Sequence, residues 1–267
     1  MLEEFERHLN KTNLSKNTIH SYLSAFRQYV NKYDEISAKN LRDFKVWLIE
    51  NYKPKTVNLR IRAINCYLEF KKKENLKLSF IKVQQKTFLE NVISEADYNY
   101  FKTRLKRDGE MYCYFIVRFL AATGARISEL IQIKVEHVKI GHLDLYSKGG
   151  KIRRIYIPKK LQKEALKWFE ETNRTYGFIF INKQGERITT RGIYGYLKKF
   201  AEKYGIDPAV VYPHSFRHRF AKNFLDRCND IAFLADLMGH ESIETTRIYL
   251  RKTSTEQREL VDKIINW

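Results

Sequence analysis

Apolar residues recur at three- and four-residue intervals over the first 82 positions. Ile19, Tyr22, Leu23, Phe26 and Val30 mark one face of a helix that Ser15 can cap and that runs to about Tyr33. Ser37 can cap a second helix, with Leu41, Phe44, Trp47 and Leu48 as its stripe. Pro54 stands where a third begins. Val57, Ile61, Ile64 and Leu68 line that helix, and Lys71, Lys72 and Lys73 suit the negative end of its dipole. The period fades over residues 83–92, which read as a linker. A capping pattern, Ser94-Glu95-Ala96-Asp97, restarts it, and another helix covers about 110–122. Strand-like character is confined to Leu143–Tyr146 and Ile152–Pro158. The joining Ser147-Lys148-Gly149-Gly150 predicts a tight hairpin, and Phe178–Ile181 is a third short apolar run. Helices resume near Thr190, with breaks at Gly205–Pro213, Gly239 and around Thr253. In the tail from Thr255 to Trp267, Leu260, Ile264 and Trp267 have amphipathic helical spacing. The predicted fold is mainly α: a helical bundle over 1–82, a linker over 83–92, and over 93–267 a mainly helical domain with a small antiparallel β-sheet.

Composition adds a partner. The chain has 267 residues, of which 43% are hydrophobic and 14% aromatic, enough for one large core or two modest ones. Lys and Arg number 50 against 31 Asp and Glu, a net charge of +19. Residues 1–82 hold 17 basic and 9 acidic side chains, so the excess is shared by both halves. That spread suits a long polyanion touching both halves better than it suits a basic tail. Three separated cysteines, with no CxxC pair, exclude a disulfide scaffold and an ordinary zinc site, and fit a reducing cytosol. No apolar run approaches the roughly 18 residues of a membrane span, and the acidic start Met1–Glu6 is unlike a targeting peptide.

Three stretches carry candidate chemistry. In Thr123-Gly124-Ala125-Arg126-Ile127-Ser128-Glu129-Leu130, Arg126 and Glu129 lie at i, i+3, where a carboxylate can orient a guanidinium fork toward a phosphate. In Pro213-His214-Ser215-Phe216-Arg217, the histidine and arginine stand one turn apart at a helix start, a position that favours an anion. Gly239-His240 follows 23 residues after Arg217, with Tyr249 nine residues further. His218 suits a supporting role. Taken singly, each has a plainer reading: a surface ion pair, a capping histidine, one half-buried tyrosine among 17.

Together, in this order and at these spacings, the stretches resemble the active site of the tyrosine recombinases, the phage-integrase family that includes the Xer proteins. The resemblance covers about residue 92 to the end. It implies an N-terminal core-binding domain and a catalytic domain of the DNA breaking-rejoining type, closing around DNA as a C-shaped clamp. It implies catalytic roles for Arg126, Lys148, His214, Arg217, His240 and the nucleophile Tyr249, with Glu129 in support. Ser-Lys-Gly-Gly-Lys-Ile-Arg-Arg resembles the family's hairpin, in which the first lysine, here Lys148, is the general acid; Ser147 stands where glycine is commoner. Lys151, Arg153 and Arg154 then look like contacts to the DNA backbone.

The chemistry can be argued from the residue types too. Attack on a phosphodiester adds negative charge to the non-bridging oxygens, which fixed donors such as Arg126, Arg217, His214 and His240 can meet without a metal. A covalent 3′-phosphotyrosine on Tyr249 stores the bond energy, so a second strand is joined without ATP. The expected activity is site-specific recombination through a Holliday junction, with no cofactor and no metal. The expected partners are double-stranded DNA with specific core sites and, as the resemblance implies, three further copies in a tetramer that exchanges the C-terminal helix. The expected place is the cytoplasm, at the nucleoid, with no membrane. Two alternatives stand beside this: a type IB topoisomerase-like enzyme, and a catalytically silent DNA-binding protein. The helical N-terminal half and the tail favour recombination over the first, and the intact set of six side chains argues against the second.

Overall fold

The computed structural model describes residues 1–83, 91–146, 152–240, 242–250 and 254–265. The chain divides into two compact units, Met1–Gln85 and Lys86–Trp267.

The first unit is built from four helices, α1 (Leu2–Asn10), α2 (Lys16–Val30), α3 (Ala38–Asn51) and α4 (Pro54–Phe70), and a single 3-10 turn, Glu74–Leu76. The expected caps are present: Ser15 Oγ accepts from the Thr18 N–H and Ser37 Oγ from the Asn40 N–H, both at 3.1 Å. Pro54 opens α4, where its missing N–H costs nothing. Helix α1 is an addition to the sequence pattern; it buries Phe5 and Leu9 one turn apart. The core is aromatic. Phe26 stacks on Tyr67 at 4.1 Å between centroids, and Phe5 meets Phe26 edge-on at 5.2 Å. Burying each such ring contributes about 1.5–3 kcal/mol. Beyond α4 the extended chain is strapped to that helix by two asparagine amides. Asn65 exchanges two hydrogen bonds with the backbone of Leu78, and Asn58 two with that of Ile81, all at 2.9 Å.

The second unit begins with α5 (Glu95–Arg107), capped by Ser94, and α6 (Met111–Thr123). Short helices α7 (Ile127–Leu130) and α8 (Val135–Ile140) lead to the strands β1 (His142–Tyr146) and β2 (Ile152–Tyr156). These pair antiparallel, with Asp144 opposite Arg154 and Leu145 opposite Arg153. Then come α9 (Lys159–Glu171), α10 (Thr190–Lys203), α11 (Pro213–Arg227), α12 (Ile231–Met238), α13 (Ile243–Arg247), a 3-10 turn at Ile248–Leu250, and α14 (Ser254–Ile264). Helix α6 is mostly apolar and largely buried, as befits the centre of a helical layer, and its one charge, Arg118, pairs with Glu164 on α9. Phe115 on α6 stacks against Trp168 on α9 at 4.4 Å.

The apolar run Phe178–Ile181 does not become a strand. It makes only single bridges, Phe178 to Lys134 and Ile181 to Arg187, because its neighbours are a helix-flanking loop and a turn; Ile179 and Phe180 still reach the core. The hairpin tip predicted at Ser147–Gly150 lies outside the described residues. Among the described residues, no helix is long and apolar enough to cross a membrane.

Candidate active site

Helix α6 ends at Gly124, whose φ of +61° is ordinary for glycine only. A Cβ there would fall 2.4 Å from the Phe220 ring, so the backbone can approach α11 closely. Thr123 fixes the corner: its hydroxyl donates to the Phe119 carbonyl at 2.6 Å and accepts from the Ala125 N–H at 3.2 Å. Arg126 follows as the N-cap of α7. Glu129 reaches back to accept both the Arg126 backbone N–H, at 2.6 Å, and Nη1, at 2.9 Å. The i, i+3 spacing therefore places guanidinium and carboxylate side by side, as the sequence predicts.

The C-terminus of α12 organises the arginines. Gly239, at φ +59°, closes the helix: its N–H donates to the Asp236 carbonyl and the His240 N–H to that of Ala235, each at 3.0 Å. The next three carbonyls each receive an arginine. Arg153 donates from Nε and Nη2 to Leu237 at 3.1 and 2.9 Å, Arg217 from Nη2 to Met238 at 2.7 Å, and Arg126 from Nη2 to Gly239 at 2.9 Å. Orphan carbonyls and the negative end of the helix dipole supply acceptors where cations gather. Arg217 also donates from Nη1 to the Gly124 carbonyl, so two helix ends hold it. Any side chain at position 239 would strike Arg153, whose Cδ lies 2.1 Å from the site of a Cβ.

Electrostatics follow from burial. Burial pushes the Glu129 carboxyl upward, but Arg153 and then Arg126 outweigh it and hold the group below the usual carboxylate range. Arg217 is buried, with Arg126 and Arg153 close by. Burial, then those two like charges, lowers its pKa to about 10, which still leaves it charged at neutral pH.

His240 comes directly after Gly239. Its Nδ1 is 2.8 Å from Thr246 Oγ1 and its Nε2 is 3.1 Å from Arg217 Nη2. Burial, then Arg217, Arg126 and Arg153, push it down to about 4. The ring lies nearly parallel to that of Tyr249, 6.1 Å away. Tyr249 sits on the 3-10 turn after α13 and is buried in a small cluster with Ala221, Leu225, Leu234 and Met238. Burial raises the phenol's pKa, and the nearby charge of Arg217 offsets this in part. His214 faces solvent on the first turn of α11; partial desolvation, then Arg217 and Arg126, lower its pKa. His218, one turn on, packs 5.3 Å from the Tyr249 ring with its Nδ1 buried and without a partner. Burial, then His214 and Arg217, push it down to about 4.

The fold thus brings Arg126, Glu129, Arg217, His240 and Tyr249 into one connected cluster, with His214 at its edge. Lys148 and Lys151 lie outside the described residues. Arg153, expected on a DNA backbone, is held within the protein in this structure. Its guanidinium is turned inward onto Glu129 and the Leu237 carbonyl, because it shares the inner face of β2 with the buried Ile155. Arg154 points outward, in a two-pronged pair with Asp144 across the hairpin at 2.7 Å for both bonds. Sequence reasoning also passes over Thr246, a fully buried hydroxyl one turn before Tyr249, and the three carbonyls of α12. Among the described residues, no group of three or more His, Cys, Asp or Glu side chains could hold a metal ion. Chemically, the cluster offers fixed cations for an anion, neutral imidazoles for a proton, and one phenol.

Known proteins resemble the chain along its length. The curated relatives include tyrosine recombinase XerA of Pyrococcus furiosus, 29% identical over 98% of this chain and 93% of the relative. They also include the TnP I resolvase of Bacillus thuringiensis, 27% identical over 98% of each. Among solved structures, the Tn1549 transposon integrase in complex with transposon right end DNA superposes with a TM-score of 0.72 at 15% identity, over 98% of this chain and 99% of that one. At such identity the likeness is one of fold. The N-terminal SAM-like domain of phage integrases matches residues 2–75, and the phage integrase family itself matches residues 91–256. More than half of the chain, with the cluster around Arg217 inside it, therefore fits one family: this protein belongs to the phage integrase family and is a tyrosine recombinase.

Proposed function

We propose that the protein recombines DNA at specific core sites, using Tyr249 as the nucleophile. The observation that carries this reading is the placement of Tyr249 beside a fixed arginine: its ring lies nearly parallel to that of His240, 6.1 Å away, and His240 contacts Arg217, which two helix ends hold. Arg126 and Arg217 hold the scissile phosphate, with His214 and His240 beside them. The Tyr249 oxygen attacks phosphorus, its proton passing to a neutral imidazole, of which solvent-facing His214 is the accessible one. The bond to the 5′-oxygen breaks, and that oxygen takes a proton from Lys148. The product is a 3′-phosphotyrosine, which a 5′-hydroxyl from the partner duplex reverses into a recombinant strand, with no metal or nucleotide consumed.

The unit over residues 1–82 serves as a core-binding domain, the unit over 93–267 as the catalytic domain, and the protein works at the nucleoid as a tetramer on paired sites. Helix α14 supports the assembly: Val261 and Ile264 are exposed on it and Ile265 just after it, a face that a groove on a neighbouring copy would cover. The test of the chemistry is a nicked duplex that traps the covalent step. Wild-type protein should give an adduct on a denaturing gel, and Tyr249→Phe should bind the same duplex and give none. An adduct at wild-type yield from that variant would remove Tyr249 from the role. Deleting the chain from Thr255 onward should spare binding to a single site and reduce pairing of two sites on a native gel; unchanged pairing would rule out an intersubunit tail.

A further inference from the structure

Thr246 lies on α13 with its side chain fully buried, three residues before Tyr249. Its Oγ1 is 2.8 Å from His240 Nδ1, while the opposite ring nitrogen, Nε2, is 3.1 Å from Arg217 Nη2. A guanidinium has donors and no acceptor. Nε2 must therefore accept from Arg217, and a proton on Nε2 would instead point into the arginine's own N–H. The imidazole is then neutral with its proton on Nδ1, donated to the Thr246 hydroxyl, which can accept it.

We propose that Thr246 is a positioning residue that fixes His240 as the Nδ1–H tautomer, leaving Nε2 as a lone-pair acceptor that orients the Arg217 guanidinium. Three side chains thus form one relay of orientation, from a buried hydroxyl through an imidazole to the arginine beside the phenol. In this resting arrangement His240 serves the site by accepting from Arg217. The hydroxyl also ties the turn that carries Tyr249 to the residue that follows the C-terminus of α12. An aliphatic replacement offers no oxygen to accept the Nδ1 proton, so the Nδ1–H form would leave a donor unsatisfied and keep only the Arg217 contact in its favour.

The closing experiment reads the tautomer directly. The full-length protein, ¹⁵N-labelled and free of DNA, is studied by long-range ¹H–¹⁵N NMR of its imidazole rings near pH 7.5, with His240→Asn identifying the signal. His240 should be protonated on Nδ1 in wild-type protein and in Thr246→Ser. In Thr246→Val, which keeps the shape and loses the oxygen, it should move to Nε2–H or to a mixture. On a nicked duplex, Thr246→Val should cleave about 10-fold more slowly at saturating DNA with unchanged affinity, and Thr246→Ser within about 3-fold of wild type. Nε2–H or a mixture in wild-type protein would overturn the proposal. So would an unchanged tautomer in Thr246→Val, or equal rate losses in the two variants. The rate comparison rests on the DNA-cleaving function proposed above, whereas the tautomer is read without DNA and stands or falls separately. Should Thr246→Val fail to fold, the wild-type and Thr246→Ser spectra still decide.

Discussion

The unit from Met1 to Gln85 buries aromatic rings and keeps every described charged side chain at least partly in water, whereas the unit that follows buries Glu129, Arg217 and Arg219. In the first, ion pairs such as Lys71–Glu4, at 2.7 Å, lie on the surface, where water and salt weaken them. In the second, Arg153 and Arg126 share one buried carboxylate, and Arg217 is wedged between two helix ends. Interior charge is costly unless it is paired and hydrogen-bonded. The second unit accepts that cost for Glu129 and Arg217 in the cluster proposed above to hold a phosphate, while its other buried arginine, Arg219, pairs with Glu95 instead. The same residue type is therefore a solvated point charge in one unit and part of the framework in the other.

The sharpest way to break this comparison is to remove one arginine from each unit. Arg217→Ala should slow single-turnover cleavage by at least about 100-fold, because a charge-assisted donor to the transition state is lost, and should weaken DNA binding far less. Arg42→Ala, at an exposed position on α3, should cleave near the wild-type rate at saturating DNA. Its effect should be confined to affinity, lowering the slope of log affinity against log salt by about 1 at most. Reversed outcomes would dissolve the contrast.

A smaller effect, on stability, sharpens it from the acidic side. Glu129→Ala leaves Arg153 inside the protein without its counter-charge and should lower the unfolding free energy by about 3–5 kcal/mol in urea melts. Glu4→Ala removes a close pair from the surface and should leave the midpoint unchanged within error.

A pH dependence tests the same contrast through the histidines. His218 and His240 have pKa values pushed down to about 4, from an ordinary value of 6.5. Between these values the unfolded chain binds protons that the folded chain refuses. The stability from these neutral rings is therefore fully present above about pH 6.5 and is lost as pH falls toward 4. Melting temperature should decline over that window, and His218→Phe should flatten the decline. An identical slope in the variant would mean that His218 is not held neutral by burial.

Local rules made much of this legible in advance. The caps at Ser15, Ser37 and Ser94, the stripes of α2, α3 and α4, and the antiparallel strand pair follow from near neighbours in sequence. The Arg126–Glu129 pair was legible for the same reason, being a matter of helical spacing. Arg153 and Arg154 were not told apart, because two adjacent arginines look alike until the strand's inner face is known; the buried Ile155 marks it, two residues from Arg153. Thr246 depends on how the chain turns after α12, which no periodicity reports. Lys148 and Lys151 remain sequence expectations.

The three acceptors at Leu237, Met238 and Gly239 have a consequence for how such a site is mapped. They are main-chain oxygens, present whatever residue occupies the position. An alanine scan across residues 237 and 238 leaves all of them in place, so it would report this stretch by its packing alone. Only a change that re-aims the backbone, such as replacing Gly239, disturbs the carbonyls, and it disturbs the seats of Arg153, Arg217 and Arg126 together. Part of the site's information is thus carried by the path of the chain rather than by its letters. Two relatives could keep that part while sharing no side chain at positions 237 and 238.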